Sequence, residues 1–279
     1  MVNIGKFNNL RIVKKVDFGL YLDGGEFGEL LLPTRYVPAN VEIDSFIDVF
    51  IYSDSEDRLI ATTEKPLAQV DEFALLKVVS VGTIGAFLSW GLTKDLLVPY
   101  REQNQKMEVG RQYIVRVYLD EKTNRPVASA KIDKFLNQIP IDVYEGEQVD
   151  LMICNQTDLG YKVIINNVFG GVLYQNEIFK NITRGDRIKG YIKKIREDKK
   201  IDVCLDKPGF EKVDELTDLI IQKLTQNGGF MPLTDKTSPE KISDIFGVSK
   251  KTFKKAIGAL YKSRKIEILD SGIKLENKT

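Results

Sequence analysis

The sequence predicts a mostly β chain with a small α/β domain at its C-terminal end: three tandem five-stranded barrels, then a winged helix. Three observations carry this. A glycine-centred, strand-like run occurs three times, as VDFGLYLD (16–23), GTIGAFLS (82–89) and TDLGYKVI (157–164). The segments around each glycine return at matched offsets, and all are short, alternating and bounded by turn residues. After Pro208-Gly209 the alternation gives way to helical spacing.

Each unit reads in the same order. A first strand precedes the glycine: LRIVKKV, FALLKVVSV and VDLMICNQ. The glycine run follows, centred on Gly19, Gly85 and Gly160. Twelve residues later stand Leu31, Leu97 and Val172, inside ELLLP, DLLVP and GGVLY. About 24 residues after each glycine another segment begins: EIDSFIDVFI (42–51), VGRQYIVRVY (109–118) and RGDRIKGYIK (184–193). Polar turns come next, SDSEDR (53–58), DEKTNR (120–125) and REDKK (196–200), and then LIATT, PVASAKI and IDVCLD. Five short strands in about 60 residues fit a small closed barrel of the oligonucleotide-binding (OB) type. Glycine inside a strand marks a bend or a close approach, and a tight barrel must coil its strands. The expected domains are 1–66, 67–147, 148–209 and 210–279.

The last seventy residues change character. DELTDLIIQKLTQNGG (214–229) carries Leu216, Leu219, Ile220 and Leu224 at helical spacing and closes on Gly228-Gly229. SPEKISDIFG (238–247) opens on Ser238 as cap with Pro239 in the first turn, and ends at Gly247. VSKKTFKKAIGALYKSRKI (248–266) places Phe253, Ile257, Leu260 and Tyr261 on one face, with Ser249 as cap. KIEILDSGIKLE (265–276) reads as a hairpin. Helix, short helix, turn, helix, two strands is the winged-helix order.

The net charge of +1 hides a gradient. Residues 1–66 sum to −4, 67–148 to −1, and 149–210 and 211–279 to +3 each. A polyanion is therefore expected at the C-terminal half. No apolar run is long enough to span a bilayer, and the N-terminus shows no export signal. With two cysteines, Cys154 and Cys204, a reducing cytoplasm and buried free thiols are expected. There is no histidine, phosphate loop, serine elbow or metal-ligand cluster, so a non-catalytic protein without cofactor, metal or small-molecule substrate is expected.

The glycine run, the Gly-Leu-Leu segment and the acidic turn before a last strand together resemble the S-one RNA-binding repeat. The resemblance covers roughly residues 7–209. It implies an RNA-contacting face made by the ring before the glycine, the ring two after it and the residue fourteen after it, with charged residues at the last turn. The first unit supplies Phe18 and Tyr21, with Asp54 and Arg58. The second supplies Phe87, with Asp120 and Arg125, but Ile84 replaces its first ring. The third has Leu159 and Lys162 at the ring positions, with Tyr161 between them and Tyr174 fourteen after its glycine. The histidine common at that last position is absent, and Pro33 and Pro99 occupy it in the first two units. The order of the whole chain also resembles the conserved virulence factor B family, bacterial proteins with tandem S-one repeats and a C-terminal winged helix.

Exposed rings bind single strands with little sequence preference, because every base has a π face. The same rings could instead be core. Alternation puts Tyr21 opposite Leu20 and Leu22, whereas Phe18 shares their face unless the chain coils at Gly19. The third unit is basic, with Lys193, Arg196, Lys199 and Lys200 at its turn. Lys193 and Lys194 are expected on opposite faces of a strand, and the alternative is a solvated edge guarded by lysine. Lys250, Lys251, Lys254 and Lys255 open the third helix, where a recognition helix meets a groove. They oppose the helix dipole there. A solvated face or a protein contact is the other reading. A short link at 207–212 is expected to hold the two basic regions along one phosphate backbone. The function expected is single-stranded RNA binding by an expression regulator. The alternatives are a DNA-binding regulator acting through the winged helix and a ribosome-associated adaptor.

Overall fold

Each repeated glycine faces the carbonyl of a neighbouring strand, and that contact explains the repeat. The computed structural model describes residues 2–276 except 55, 57, 138–141, 179–180 and 207–212. A Cβ built on Gly19 would lie 2.2 Å from the Leu32 carbonyl oxygen. On Gly85 it would lie 2.2 Å from that of Val98, and on Gly160 2.2 Å from that of Leu173. Gly19 and Gly160 have φ of +155° and +143°, while Gly85 is not among the positive-φ glycines. The close approach, not the dihedral, is the common cause.

The first barrel comprises β1 (Phe7–Val16), β2 (Gly19–Asp23), β3 (Glu29–Pro33), β4 (Phe46–Ser53) and β5 (Leu59–Thr62), closed in the order β1-β2-β3-β5-β4. The second has β6 (Phe73–Val81), β7 (Gly85–Ser89), β8 (Leu96–Pro99), β9 (Gln112–Leu119) and β10 (Pro126–Ser129). Its sheet runs β10-β9-β6-β7-β8, nearly closed but with no ladder joining β8 to β10. The third has β11 (Gln148–Thr157), β12 (Gly160–Ile165), β13 (Phe169–Tyr174), β14 (Arg187–Ile195) and β15 (Ile201–Cys204), closed in the first barrel's order. The fourteen-residue offset is a register: Gly19 pairs with Pro33, Gly85 with Pro99 and Gly160 with Tyr174. Each first strand also carries an irregularity opposite the glycine strand, at Ile12/Lys14, Val78/Ser80 and Ile153/Gln156. Such bulges coil a strand, as closure of a small barrel requires.

Alternation fills the barrels. Ile12, Leu20, Leu22, Leu32 and Ile51 are buried in the first, and Leu151, Ile153, Val163, Ile165 and Val203 in the third. The second barrel's core of Leu76, Val78, Leu88, Val98 and Val115 continues into Phe50 and Tyr52 of the first. Cys154 and Cys204 are buried, and neither is part of a disulfide.

The winged helix comprises α1 (Val213–Gln226), β16 (Phe230–Met231), α2 (Pro239–Phe246), α3 (Lys250–Lys262), β17 (Ile266–Leu269) and β18 (Gly272–Leu275). Ser238 caps α2 by accepting from Lys241 N, and Ser249 caps α3 by accepting from Thr252 N. Gly247 ends α2 with φ +66°. Sequence reading gives two strands here. The structure adds β16, which pairs with β18 in the order β16-β18-β17 and is too short to show a periodicity. Leu216, Ile220, Leu224, Phe253 and Ile257 form the core. The chain divides into two compact units, Met1–Leu136 with the first two barrels and Asn137–Thr279 with the third barrel and the winged helix. No helix among the described residues is long and apolar enough to cross a membrane.

Candidate nucleic-acid interface

In the first barrel, Phe18 lies in the turn before β2, so strand alternation does not bind it, and it is 58% exposed. Tyr21 takes the outward, half-buried place between Leu20 and Leu22. The two rings meet edge to face at 6.2 Å, and Lys14 Nζ sits 4.6 Å from the Tyr21 ring centre. Sequence reading missed Lys14. The bulge sets it opposite Tyr21 across the ladder, and a bulge leaves no periodic signal. Arg58 is committed to carboxylates. Its Nε and Nη2 donate to Asp54 Oδ2 at 3.0 and 2.8 Å, and its Nη1 lies 3.0 Å from Glu56. Burial pushes the Asp54 carboxyl up. The Arg58 side chain and the backbone N–H groups of Arg58 and Glu56 outweigh this and hold it below the usual range. Arg58 therefore closes its turn, and its charge is met locally.

In the second barrel, Phe87 has Tyr21's outward place, and Ile84, 58% exposed, has the turn position of Phe18. Tyr100, 44% exposed, follows Pro99 and donates its hydroxyl to the Gly82 carbonyl at 2.7 Å. It supplies a ring near the fourteenth position that sequence reading did not assign. Arg125 is half-buried, closes the turn by accepting from Asp120 N at 2.9 Å, and lines a cleft with Phe87 and Ile84.

The third barrel is built differently. Tyr161 pairs with Leu173 and packs, partly buried, against the core, and Lys162 has the outward place. The residue directly after the glycine, Leu20, Ala86 or Tyr161, takes the core-facing place in each unit. Tyr174 is half-buried, and its hydroxyl accepts from Arg196, whose Nε and Nη2 also donate to Asp202 Oδ1 at 2.9 and 2.6 Å. The Asp202 bond raises the Arg196 guanidinium further above its usual value. The turn-closing bonds Asp54 N to Arg58 O, Asp120 N to Arg125 O and Arg196 N to Lys200 O align the three turns. Arg196 thus replaces the aspartate of the other two barrels. Lys193 pairs with Glu177, and Lys200 with Asp198 at 3.0 Å. Lys199, exposed with φ +64°, has no ion-pair partner among the described residues. An irregularity at Ile192/Lys194 leaves Lys193 outside the ladder, and Lys193 and Lys194 are both exposed.

On α3, Lys251, Lys254 and Lys255 are exposed and Lys250 is half-buried. Lys254 lies 3.4 Å from Asp235. No acidic residue occupies the first turn of α3. The link 207–212, expected to join the two basic regions, lies outside the described residues.

Small five-stranded barrels in tandem, two of them with an outward ring beside a buried glycine, define the chain as a multi-module protein of S1 and winged-helix domains. Residues 4–64 and 72–131 match the S1 domain, the S-one repeat, and residues 218–275 match the CvfB-like winged helix domain. The chain therefore carries S1 domains and a CvfB-like winged helix domain, and it is similar over most of its length to proteins named conserved virulence factor B. The uncharacterized protein YitL of Bacillus subtilis is 29% identical, covering 94% of this chain and 90% of its own length. Conserved virulence factor B of Staphylococcus epidermidis is 24% identical, covering 85% of this chain and 82% of its own. A crystal structure from Streptococcus pneumoniae, described as a multidomain protein with nucleic acid binding domains, is 24% identical over 98% of both chains, with a TM-score of 0.42.

Proposed function

We propose that this chain is a non-catalytic, cytoplasmic binder of single-stranded RNA that regulates expression, with modules bounded at residues 66/67, 147/148 and 209/210. One observation carries the reading. Phe18, exposed, and Tyr21, half-buried, meet edge to face at the surface, with Lys14, paired with Glu29 at 2.5 Å, over the Tyr21 ring. Bases stack on such rings whatever their identity, and each is worth about 1–3 kcal/mol. Weak sites in tandem gain from one another when a single strand spans them. The name of the staphylococcal relatives, a virulence factor, suits a protein that acts on the expression of other genes.

A second reading has its own observation. The exposed lysines of α3 sit where a winged helix meets duplex DNA. Competition of single-stranded RNA, single-stranded DNA and duplex DNA for the whole chain at matched salt separates the two. The RNA reading expects RNA to compete best and Tyr21→Ala or Phe18→Ala to weaken it about fivefold or more, with the first barrel still folded. Duplex DNA competing best, with both ring variants silent, supports the second.

A further inference from the structure

The two barrels of the first unit enclose a cleft that neither has alone. The second barrel gives it Ile84, Phe87, Leu97 and Arg125, and the first gives it Tyr52 and Ser53 at the end of β4. Trp90, buried, and Asp95, exposed, also line it. Contacts between the barrels fix this wall. Lys94 Nζ donates to the carbonyls of Ser53 and Asp54 at 3.1 and 2.5 Å, and Trp90 Nε1 donates to the Lys94 carbonyl at 2.6 Å. Phe50 meets Trp90 edge to face at 5.7 Å. A preformed site spares a ligand the entropy of ordering it.

The cleft measures about 150 Å³. An apolar cavity of about 150 Å³ holds one benzene ring. A pyrimidine ring has that size, and a purine adds a second ring. The lining is apolar and aromatic with a few convergent polar groups, the composition of sites for flat ligands. Among carboxylates displaced from their usual range in the described residues, Asp95 alone is raised, by partial desolvation at the cleft's edge. A carboxylate accepts from the N–H groups on a pyrimidine edge, and a guanidinium suits its phosphate.

We propose that this cleft takes one unstacked pyrimidine base of a single strand, so that the first barrel completes the second barrel's site. The inference rests on the single-strand reading above and adds to it a place and a base class.

Trp90 is the only tryptophan in the chain, so intrinsic emission reports on the cleft directly. The whole chain is titrated with a short labelled oligouridylate while anisotropy and Trp90 emission are followed together. Emission is expected to be quenched along the anisotropy curve, and an oligoadenylate at equal occupancy is expected to quench less. Leu97 pairs with Phe87 and is half-buried, so Leu97→Phe fills the cleft. That variant is expected to weaken oligouridylate binding about tenfold. The wild-type titration needs no variant to fold. A strand that binds by anisotropy while Trp90 emission stays unchanged overturns the cleft and leaves the single-strand reading standing. Equal quenching by adenylate at equal occupancy overturns the base class. Absence of any single-strand binding overturns the underlying reading and this inference with it.

Discussion

Replacing Gly85 by alanine tests the physical reason for the repeated glycine. The new Cβ would sit 2.2 Å from Val98 O, 2.9 Å from Val98 C and 2.9 Å from Pro99 Cα. A carbon rests about 3.3 Å or more from a carbonyl oxygen, so β7 and β8 must part by roughly 1 Å. The obstructing atoms are backbone and cannot rotate away. Overpacking of this kind costs about 1–3 kcal/mol. Alanine returns about 0.4–1 kcal/mol by restricting the unfolded chain. The net expectation is a loss of about 1–2 kcal/mol. With a urea slope of about 2 kcal/mol/M, the midpoint falls by about 0.5–1 M. Trp90 follows β7 in the same barrel, so its emission reports this transition. Gly82→Ala is the internal control. Its Cβ would meet only the Phe87 ring edge at 3.2 Å, a side chain that can move. Its midpoint is expected within about 0.3 M of the wild type. If Gly85→Ala is as stable as Gly82→Ala, close approach is not why glycine stands there.

Three further outcomes are expected. Converting Lys251, Lys254 and Lys255 to glutamine should flatten the salt dependence of single-strand binding by between about 0.7 and 2 in logarithmic slope, at about 0.7 per phosphate contact. Anisotropy across a salt series measures this, and an unchanged slope removes α3 from the interface. Asp71 joins Lys6 at 2.7 Å and Arg116 at 3.0 Å. Burial pushes its carboxyl up, but the hydrogen bonds from Lys6 and Arg116 outweigh burial and hold it below the usual range. A depressed folded-state value stabilises above the unfolded-state value and loses its effect as pH falls through the folded one. Asp71→Asn should therefore cost up to about 1 kcal/mol near neutrality, modest because the pair is solvent-screened, and nothing in strong acid. Urea midpoints at the two pH values check it. Burial pushes the Cys204 thiol up to about 11, so native protein should resist alkylation at mildly basic pH and react fully once unfolded, as mass spectrometry would show.

The barrels were legible because their code is local. Period-two alternation, the paired offsets from Gly19, Gly85 and Gly160, and polar turns each occupy a few neighbouring residues. Capping of α2 and α3 by Ser238 and Ser249 was legible for the same reason. The interface was harder to read. Phe18 escapes the alternation because it lies in a turn, and Lys14 reaches Tyr21 because of a bulge. Tyr161 is a ring beside a glycine, and register gives it the core-facing place.

The sequence by itself determined the number of barrels, the order of their strands, the change to a helical domain and the gradient of charge, since each depends on composition or short-range spacing. Only the tertiary structure decided which charges remain available. Arg196 and Asp202 close on each other across two strands and take Tyr174 with them. Only the tertiary structure, too, could bring Tyr52 and Ser53 beside Phe87. Residues more than thirty positions apart meet through the packing of one barrel on another, and no local pattern records where such surfaces touch.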